Sequence, residues 1–186
     1  MKRSLGLTAV ILIAVLTRLL PHPPNFAPIT AMAVFAGITY TSRRSATLVP
    51  LAALFLSDLV REVLYRYGLS TSWGLYSGMW TVYITTALIA LLGRSVRETR
   101  SVNAIAMVTL AGSCLFFLVT NFAVWAEGSL YPRTLEGLGA CYTAALPFFQ
   151  NSLLGDFAYA GVLFGLRALA EARLPVLRCA LAPTAT

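Results

Sequence analysis

The chain of 186 residues is 58% hydrophobic and only 11% charged, whereas a soluble domain carries roughly 25% charged residues. Its net charge of +7 comes from basic residues that flank apolar runs, without the basic stripe and interleaved aromatic residues of a nucleic-acid-binding protein. We therefore expect no nucleic acid partner. These features predict a single transmembrane domain, residues 1–186, in contact with membrane lipid.

Six apolar segments predict an all-α bundle of six transmembrane helices. In chain order they are Leu5–Leu20, Pro28–Tyr40, Leu48–Val63, Tyr76–Gly93, Val102–Ala126 and Phe148–Leu169. The first ends at the proline-rich residues 21–24, because proline cannot continue a helix. The second is too short to cross a bilayer alone and must be tilted, buried or partly re-entrant. Glu127–Leu146 is predicted to form an interfacial helix, and Pro147 to mark the start of the sixth segment.

The basic residues predict that both termini of this multi-pass membrane protein lie in the cytoplasm. With the N-terminus inside, ten basic residues are cytoplasmic: Lys2, Arg3, Arg43, Arg44, Arg94, Arg97, Arg100, Arg167, Arg173 and Arg178. Four are on the outer side: Arg18, Arg61, Arg66 and Arg133. This excess follows the positive-inside rule, and an even number of spans returns the C-terminus to the cytoplasm.

This topology gathers the polar intramembrane residues in the outer half of the bilayer. The candidate substrate-binding residues are Arg18, His22, Asn25, Asp58, Asn121, Trp125, Arg133, Ser152 and Asp156, with an aromatic stripe of Tyr76, Trp80 and Tyr83 on the fourth helix. Ionisable groups at this depth usually face a cavity or a partner. A pocket of aromatic and a few polar groups is typical of a site for a ring-bearing, partly polar ligand.

Structural alternatives exist for most of these residues. The stripe is also typical of an interfacial aromatic belt. Asp58 could pair with Arg61 three residues later, Arg18 could extend to the interface, and His22 could be a structural residue of a proline-rich loop. Asp156 has no basic residue near it in sequence, and Arg18 is its predicted partner.

Motifs for catalysis and for metal binding are missing from the sequence. One histidine and three dispersed cysteines, Cys114, Cys141 and Cys179, predict neither a metal site nor a disulfide framework. There is no nucleophile elbow, and Lys2 as the only lysine excludes a Walker A motif. We expect no catalytic residue, no metal and no cofactor, and any ATP-driven uptake would need partner subunits.

Several motifs resemble those of an uncharacterised family of small bacterial inner-membrane proteins. They are Pro-His-Pro-Pro-Asn-Phe-Ala-Pro-Ile at 21–29, Ser57-Asp58, Asn121-Phe122 through Trp125, Tyr131-Pro132-Arg133 and Leu154-Gly155-Asp156. That family is similar to the substrate-binding S components of energy-coupling-factor (ECF) vitamin transporters. The resemblance implies a multi-pass protein of the bacterial inner membrane, with six helices, cytoplasmic termini and a pocket that faces outward.

The resemblance also implies a function, the uptake of a small molecule such as a vitamin. The protein would act alone or with an ECF membrane scaffold subunit and two ATPases. Cobalamin is one candidate, through similarity to the solitary vitamin B12 type, although of the cysteines only Cys141 could approach a ligand from outside. The alternatives are a non-transport scaffold or assembly protein whose polar residues pair internally, and an acid–base enzyme that uses Asp58 and Asp156.

Overall fold

The computed structural model describes residues 2–20, 23–71, 73–97, 99 and 101–173. Within these ranges the chain forms six α-helices and no β-strand, as expected for an all-α fold. The helices are α1 (Lys2–Leu16), α2 (Ile29–Thr39), α3 (Arg43–Arg66), α4 (Met79–Gly93), α5 (Val102–Glu127) and α6 (Leu135–Arg173). Short 3-10 turns, Thr17–Leu19 and Arg94–Val96, extend α1 and α4. Each predicted apolar segment corresponds to one helix.

Helix α2 lies at the centre of the bundle. Ten of its eleven residues, from Thr30 to Thr39, are buried, and it packs against each of the other five helices. Those five surround it in the order α1, α3, α4, α5 and α6, and α6 returns to contact α1. Of the three options predicted for the short second segment, burial among neighbours is the one that is observed.

Glycine residues allow α2 and α4 to approach closely. A Cβ atom at Gly37 would lie 2.2 Å from the carbonyl oxygen of Ala90, and one at Gly93 would lie 2.9 Å from that of Val34. Real side chains do not fit at these distances. Small residues that bring two backbones into contact are typical of helix packing in membranes.

Serine residues begin two of the helices at the opposite end of the bundle from the start of α2. The hydroxyl of Ser42 accepts from the N–H of Ser45 at 3.5 Å, and that of Ser101 accepts from the N–H of Ala104 at 3.4 Å. The first N–H groups of a helix have no partner within the helix, so a serine at this position stabilises the helix start.

The C-terminal third differs from the prediction. Glu127–Leu146 does not form a separate interfacial helix and Pro147 does not begin one, because α6 runs unbroken from Leu135 to Arg173 through this proline. Prolines are tolerated in such helices where neighbouring groups satisfy the freed carbonyl. At 1.5 Å per residue the 39 residues of α6 span roughly 58 Å, which exceeds the ~30 Å of a bilayer core.

In the described part of the chain, three helices are long and apolar enough to cross a membrane. They are Met79–Val96, Val102–Glu127 and Leu135–Arg173. The first two helices contribute shorter apolar stretches, Gly6–Leu19 and Ile29–Thr39. Large apolar side chains such as Ile13 and Leu154, each 65% exposed, are suited to contact with lipid. Crossing by α1, α2 and α3 and the cytoplasmic termini stay predictions.

Candidate ligand-binding site

A cavity of about 400 Å³ lies at one end of the bundle, which we call the pocket end. Its walls come from the end of α1, the start of α2, the C-terminal parts of α3 and α5, the start of α4 and residues 145–156 of α6. Ligand pockets in proteins have volumes of roughly 300–1,000 Å³, so the cavity is large enough for a small organic molecule.

Six of the twelve predicted binding residues lie in the cavity wall. These six are Arg18, Asn25, Tyr76, Asn121, Ser152 and Asp156. The wall does not include Asp58, Trp80, Tyr83, Trp125 or Arg133, and His22 falls outside the described residues. The fold therefore brings together polar residues from the end of α1, from α5 and α6 and from the α1–α2 and α3–α4 connections, and their role in binding stays a prediction.

A buried ion pair joins Arg18 and Asp58 beside the cavity. Nη1 of Arg18 lies 2.9 Å from Oδ1 of Asp58, and the two side chains are only 7% and 2% exposed. The same guanidinium nitrogen donates to Oγ of Ser57, and the hydroxyl of Tyr83 donates to Oδ2 of Asp58 at 2.6 Å. The Asp58 carboxylate thus has both a counter-ion and a neutral donor, as a buried charge requires.

The prediction that Arg18 pairs with Asp156 is therefore wrong. The alternative pairing of Asp58 with Arg61 is not observed either, and Arg18 is too deeply buried to extend to the interface. The reason is tertiary, since the end of α1 packs against α3 and brings Arg18 to Asp58.

Asp156 is held by a different set of groups. It is 3% exposed and accepts a hydrogen bond from Oγ of Ser113 at 2.7 Å. The hydroxyl of Thr30 and the backbone N–H groups of Thr30 and Ala31 also donate to it. These amides belong to the first turn of α2, whose N-cap residue Pro28 offers no side-chain acceptor. The α6 carboxylate therefore caps the buried start of α2, where the helix dipole favours negative charge.

Arg61 lines the cavity but was not among the predicted binding residues. It is half-buried, and no ion pair or hydrogen bond engages it within the described residues. The adjacent Glu62 binds Nε of Arg66 at 2.8 Å and the N–H of Gly74 at 3.3 Å. In the sequence, Arg61 follows Asp58 by about one helical turn. The sequence analysis interpreted this spacing only as a possible ion pair and did not consider Arg61 as a binding residue.

The aromatic stripe predicted on α4 is divided among three environments. Tyr76 lines the cavity and precedes the helix, which begins at Met79. Burial raises the pKa of Tyr76, and the Asp58 carboxylate raises it further. Trp80 is 72% exposed, which fits the aromatic-belt alternative, and Tyr83 binds Asp58.

Helices α5 and α6 contribute an aromatic wall that the sequence analysis missed. It consists of Phe116, Phe117, Phe148 and Phe149, and we call it the phenylalanine wall. The ring centroids of Phe117 and Phe149 are 4.5 Å apart. The sequence contains a Phe-Phe pair in the outer half of the fifth segment and another in the outer half of the sixth, and these pairs could have predicted the wall.

Two predicted polar residues lie beside the phenylalanine wall. Nδ2 of Asn121 donates to the carbonyl of Phe117 at 2.8 Å, and Oγ of Ser152 donates to that of Phe148 at 3.1 Å. The amide of Asn121 and the hydroxyl of Ser152 thus each donate to a carbonyl group of their own helix. The side-chain oxygen of Asn121 has no partner among the described residues and remains an acceptor for a ligand.

The connection between α1 and α2 lies at the rim of the cavity. Asn25 in this connection has a φ of +62°, in the left-handed region that asparagine adopts more readily than most residues. Nδ2 of Asn151 on α6 donates to the carbonyl of Pro24 at 3.1 Å, and the ring of Phe26 lies 5.8 Å from that of Tyr159. These contacts hold the connection against α6.

The remaining predicted residues on α5, α6 and their connection lie away from the cavity wall. Nε1 of Trp125 donates to the carbonyl of Pro132 at 3.0 Å, and Arg133 is exposed. Cys141 is buried and its thiol lies 3.5 Å from the backbone oxygen of Asn121, so it joins α6 to α5. Among the described residues no three His, Cys, Asp or Glu side chains are grouped as a metal site.

One protein family matches nearly the whole chain. The family model covers residues 1–177 and is described as a family of unknown function, DUF6580. The chain belongs to this family. No curated protein and no solved structure matches the chain. The function of this DUF6580 protein is therefore inferred from the geometry of its pocket end.

Proposed function

We propose that this DUF6580 protein is a multi-pass protein of the bacterial inner membrane that binds a vitamin-sized molecule from outside for uptake. The observation that carries the proposal is the cavity of about 400 Å³. It has an aromatic wall on one side and polar groups from several helices on the others, as expected for a ring-bearing ligand. The positive-inside rule would put the pocket end on the outer side.

The size of the cavity favours a small ligand with one or two rings over cobalamin, which is much larger. A volume of about 400 Å³ is near the lower limit for ligand pockets. Cys141, the cysteine that was a candidate to approach cobalt, faces the backbone of Asn121.

The resemblance to ECF S components extends the proposal to partners. Six helices and a short, buried second helix are compatible with that group. On this basis the protein delivers its ligand either alone or in a complex with a membrane scaffold subunit and two ATPases.

Ligand binding is tested by native mass spectrometry of freshly purified protein, followed by a thermal-shift screen of vitamins. We expect one small molecule per chain, or a rise in melting temperature with at least one vitamin. A flat screen on protein shown to be free of bound molecules would contradict the proposal.

The orientation has a separate test in cysteine labelling of intact cells. Ser129 and Ser42 are exposed on connections at opposite ends of the bundle. In a background where the native cysteines are serine, Ser129→Cys should react with an impermeant maleimide and Ser42→Cys should not. The reverse pattern would put the cavity on the cytoplasmic side and exclude capture from outside.

A scaffold or assembly role is the second candidate, and one observation favours it. Arg18, Asp58 and Asp156 all have partners within the chain, as they would in a purely structural network. These contacts do not favour the acid–base enzyme, because both carboxylates take part in interactions within the chain. The scaffold role predicts no ligand-induced stabilisation.

A further inference from the structure

We infer that the ligand carries an anionic group, a carboxylate or a phosphate, which pairs with Arg61 while an apolar or ring-bearing part packs on the phenylalanine wall. This inference rests on the proposed function. It assigns a binding residue and a chemical class of ligand to the cavity.

The first support is the balance of charges around the cavity. Its wall contains two arginines and one aspartate: Arg18, Arg61 and Asp156. Arg18 is neutralised by Asp58 at 2.9 Å. Asp156 receives donors from Ser113 and the start of α2. Arg61 is left as the cation of the wall that no carboxylate among the described residues neutralises.

The acidic neighbour of Arg61 on α3 is unavailable. Glu62 binds Arg66 through Oε1 and accepts from the backbone N–H groups of Gly74 and Leu75 through Oε2. Both of its oxygens are therefore engaged away from the cavity. The α3–α4 connection thus engages the carboxylate next to Arg61 in sequence, and Asp58, three residues before Arg61 on α3, is paired with Arg18.

The second support is the position of Arg61 relative to the aromatic side chains. In the ring of helices around α2, the neighbours of α3 are α1 and α4, and α5 and α6 complete the other side. Arg61 on α3 and the phenylalanine wall on α5 and α6 therefore face the cavity from different sides. A ligand that spans about 400 Å³ can contact both.

The chemistry of a half-buried guanidinium favours an anion over a neutral ligand. Arginine binds carboxylate and phosphate through paired, charge-assisted hydrogen bonds that are about twice as strong as neutral ones. A neutral amide would leave the charge of Arg61 uncompensated, and a cationic ligand would be repelled by it. The site should therefore discriminate between molecules that differ only in this charge.

The experiment uses pairs of probes that have the same body with and without the charge. They are nicotinate and nicotinamide, biotin and its amide, pantothenate and panthenol, and pyridoxal phosphate and pyridoxal. Affinity is measured by calorimetry on the full-length protein in nanodiscs of phosphatidylcholine. We expect that any pair with measurable binding favours the charged member by about tenfold or more.

Variants at two arginines of the same helix separate a specific contact from general electrostatics. Arg61→Gln should weaken binding of the charged probe by about tenfold or more and leave the neutral probe unchanged, and Arg61→Lys should retain part of the affinity. Arg66→Gln is the matched control, because the Arg66 side chain is 72% exposed and Glu62 keeps its hydrogen bonds from the N–H groups of the α3–α4 connection when Arg66 is lost. Arg66→Gln should leave the affinities for the charged and the neutral probe unchanged. The melting temperature of each variant shows whether it is folded.

The outcomes distinguish this inference from the proposed function. Equal binding of charged and neutral probes, or full affinity in Arg61→Gln, would overturn the anion inference and leave ligand binding intact. A wild-type protein that binds no probe and contains no bound molecule would overturn both. If instead phosphatidylglycerol in the nanodisc stabilises the wild type but not Arg61→Gln, the anion is a lipid headgroup and the uptake proposal fails.

Discussion

Two buried carboxylates at the pocket end, Asp58 and Asp156, are equally inaccessible but are stabilised by different means. Asp58 has a formal counter-ion in Arg18 and a phenol donor in Tyr83. Asp156 is surrounded by a hydroxyl from Ser113 and by the first turn of α2, without an ion pair in the described structure. The comparison teaches that a carboxylate within an apolar segment does not reveal which group compensates it.

The difference has a functional consequence. Because Asp58 uses Arg18, and a helix start suffices for Asp156, the cation of Arg61 is not needed to stabilise the fold. The region around Asp58 therefore resembles a structural network, and Arg61 on the next turn of α3 supplies the charge of the cavity that has no counter-ion in the described part of the chain. Three predictions test this division, from the largest expected effect to the smallest.

The largest effect is expected at the ion pair. Arg18→Met leaves the buried Asp58 charge without a counter-ion and should lower the free energy of unfolding by about 3–5 kcal/mol. The double variant Arg18→Met/Asp58→Asn removes both charges and should be more stable than Arg18→Met alone. Chemical unfolding in detergent micelles measures both, with Arg66→Gln as the exposed-arginine control. Asp58→Asn alone completes the comparison, and if the losses of the two single variants simply add in the double variant, the pair does not contribute as a unit.

A smaller effect is expected when each carboxylate loses one hydroxyl donor. Tyr83→Phe leaves Oδ2 of Asp58 without its donor and should cost about 1.5–3 kcal/mol, the range for hydrogen bonds to charged groups. Ser113→Ala should cost less, about 1 kcal/mol, because Thr30 and the α2 amides still hold Asp156. The same unfolding measurement compares them. A larger loss for Ser113→Ala would show that the start of α2 is not what stabilises Asp156.

The smallest effect on stability, and the clearest on affinity, is expected in the cavity wall. Asn121→Ala removes a free acceptor beside the phenylalanine wall and should weaken ligand binding by about tenfold with little change in melting temperature. Trp80→Ala should leave affinity unchanged, because Trp80 is 72% exposed and outside the wall. Calorimetry with the ligand found in the screen measures both. Loss of affinity in Trp80→Ala but not in Asn121→Ala would place the site on the outside of α4.

Local sequence patterns predicted the helices well and the pairings poorly. Each of the six predicted apolar segments corresponds to a helix in the structure. These helices could be predicted because the length and hydrophobicity of a segment depend only on its own residues. Pro147 misled the prediction, since its neighbours in the bundle decide whether a proline ends a helix or is accommodated within it. Tyr76 was placed on α4 by spacing alone, but the helix begins three residues later at Met79.

The sequence by itself determined the class of the protein, an all-helical chain with membrane-compatible segments, and the end of the bundle where polar residues collect. Both follow from composition and from the order of the segments, which alternate in direction. Only the tertiary structure decided that Arg18 pairs with Asp58, that Asp156 caps α2 and that Arg61 has no ion-pair partner among the residues that the structure describes. Ion pairing depends on which helix faces come into contact, and that is set by close packing around a buried α2.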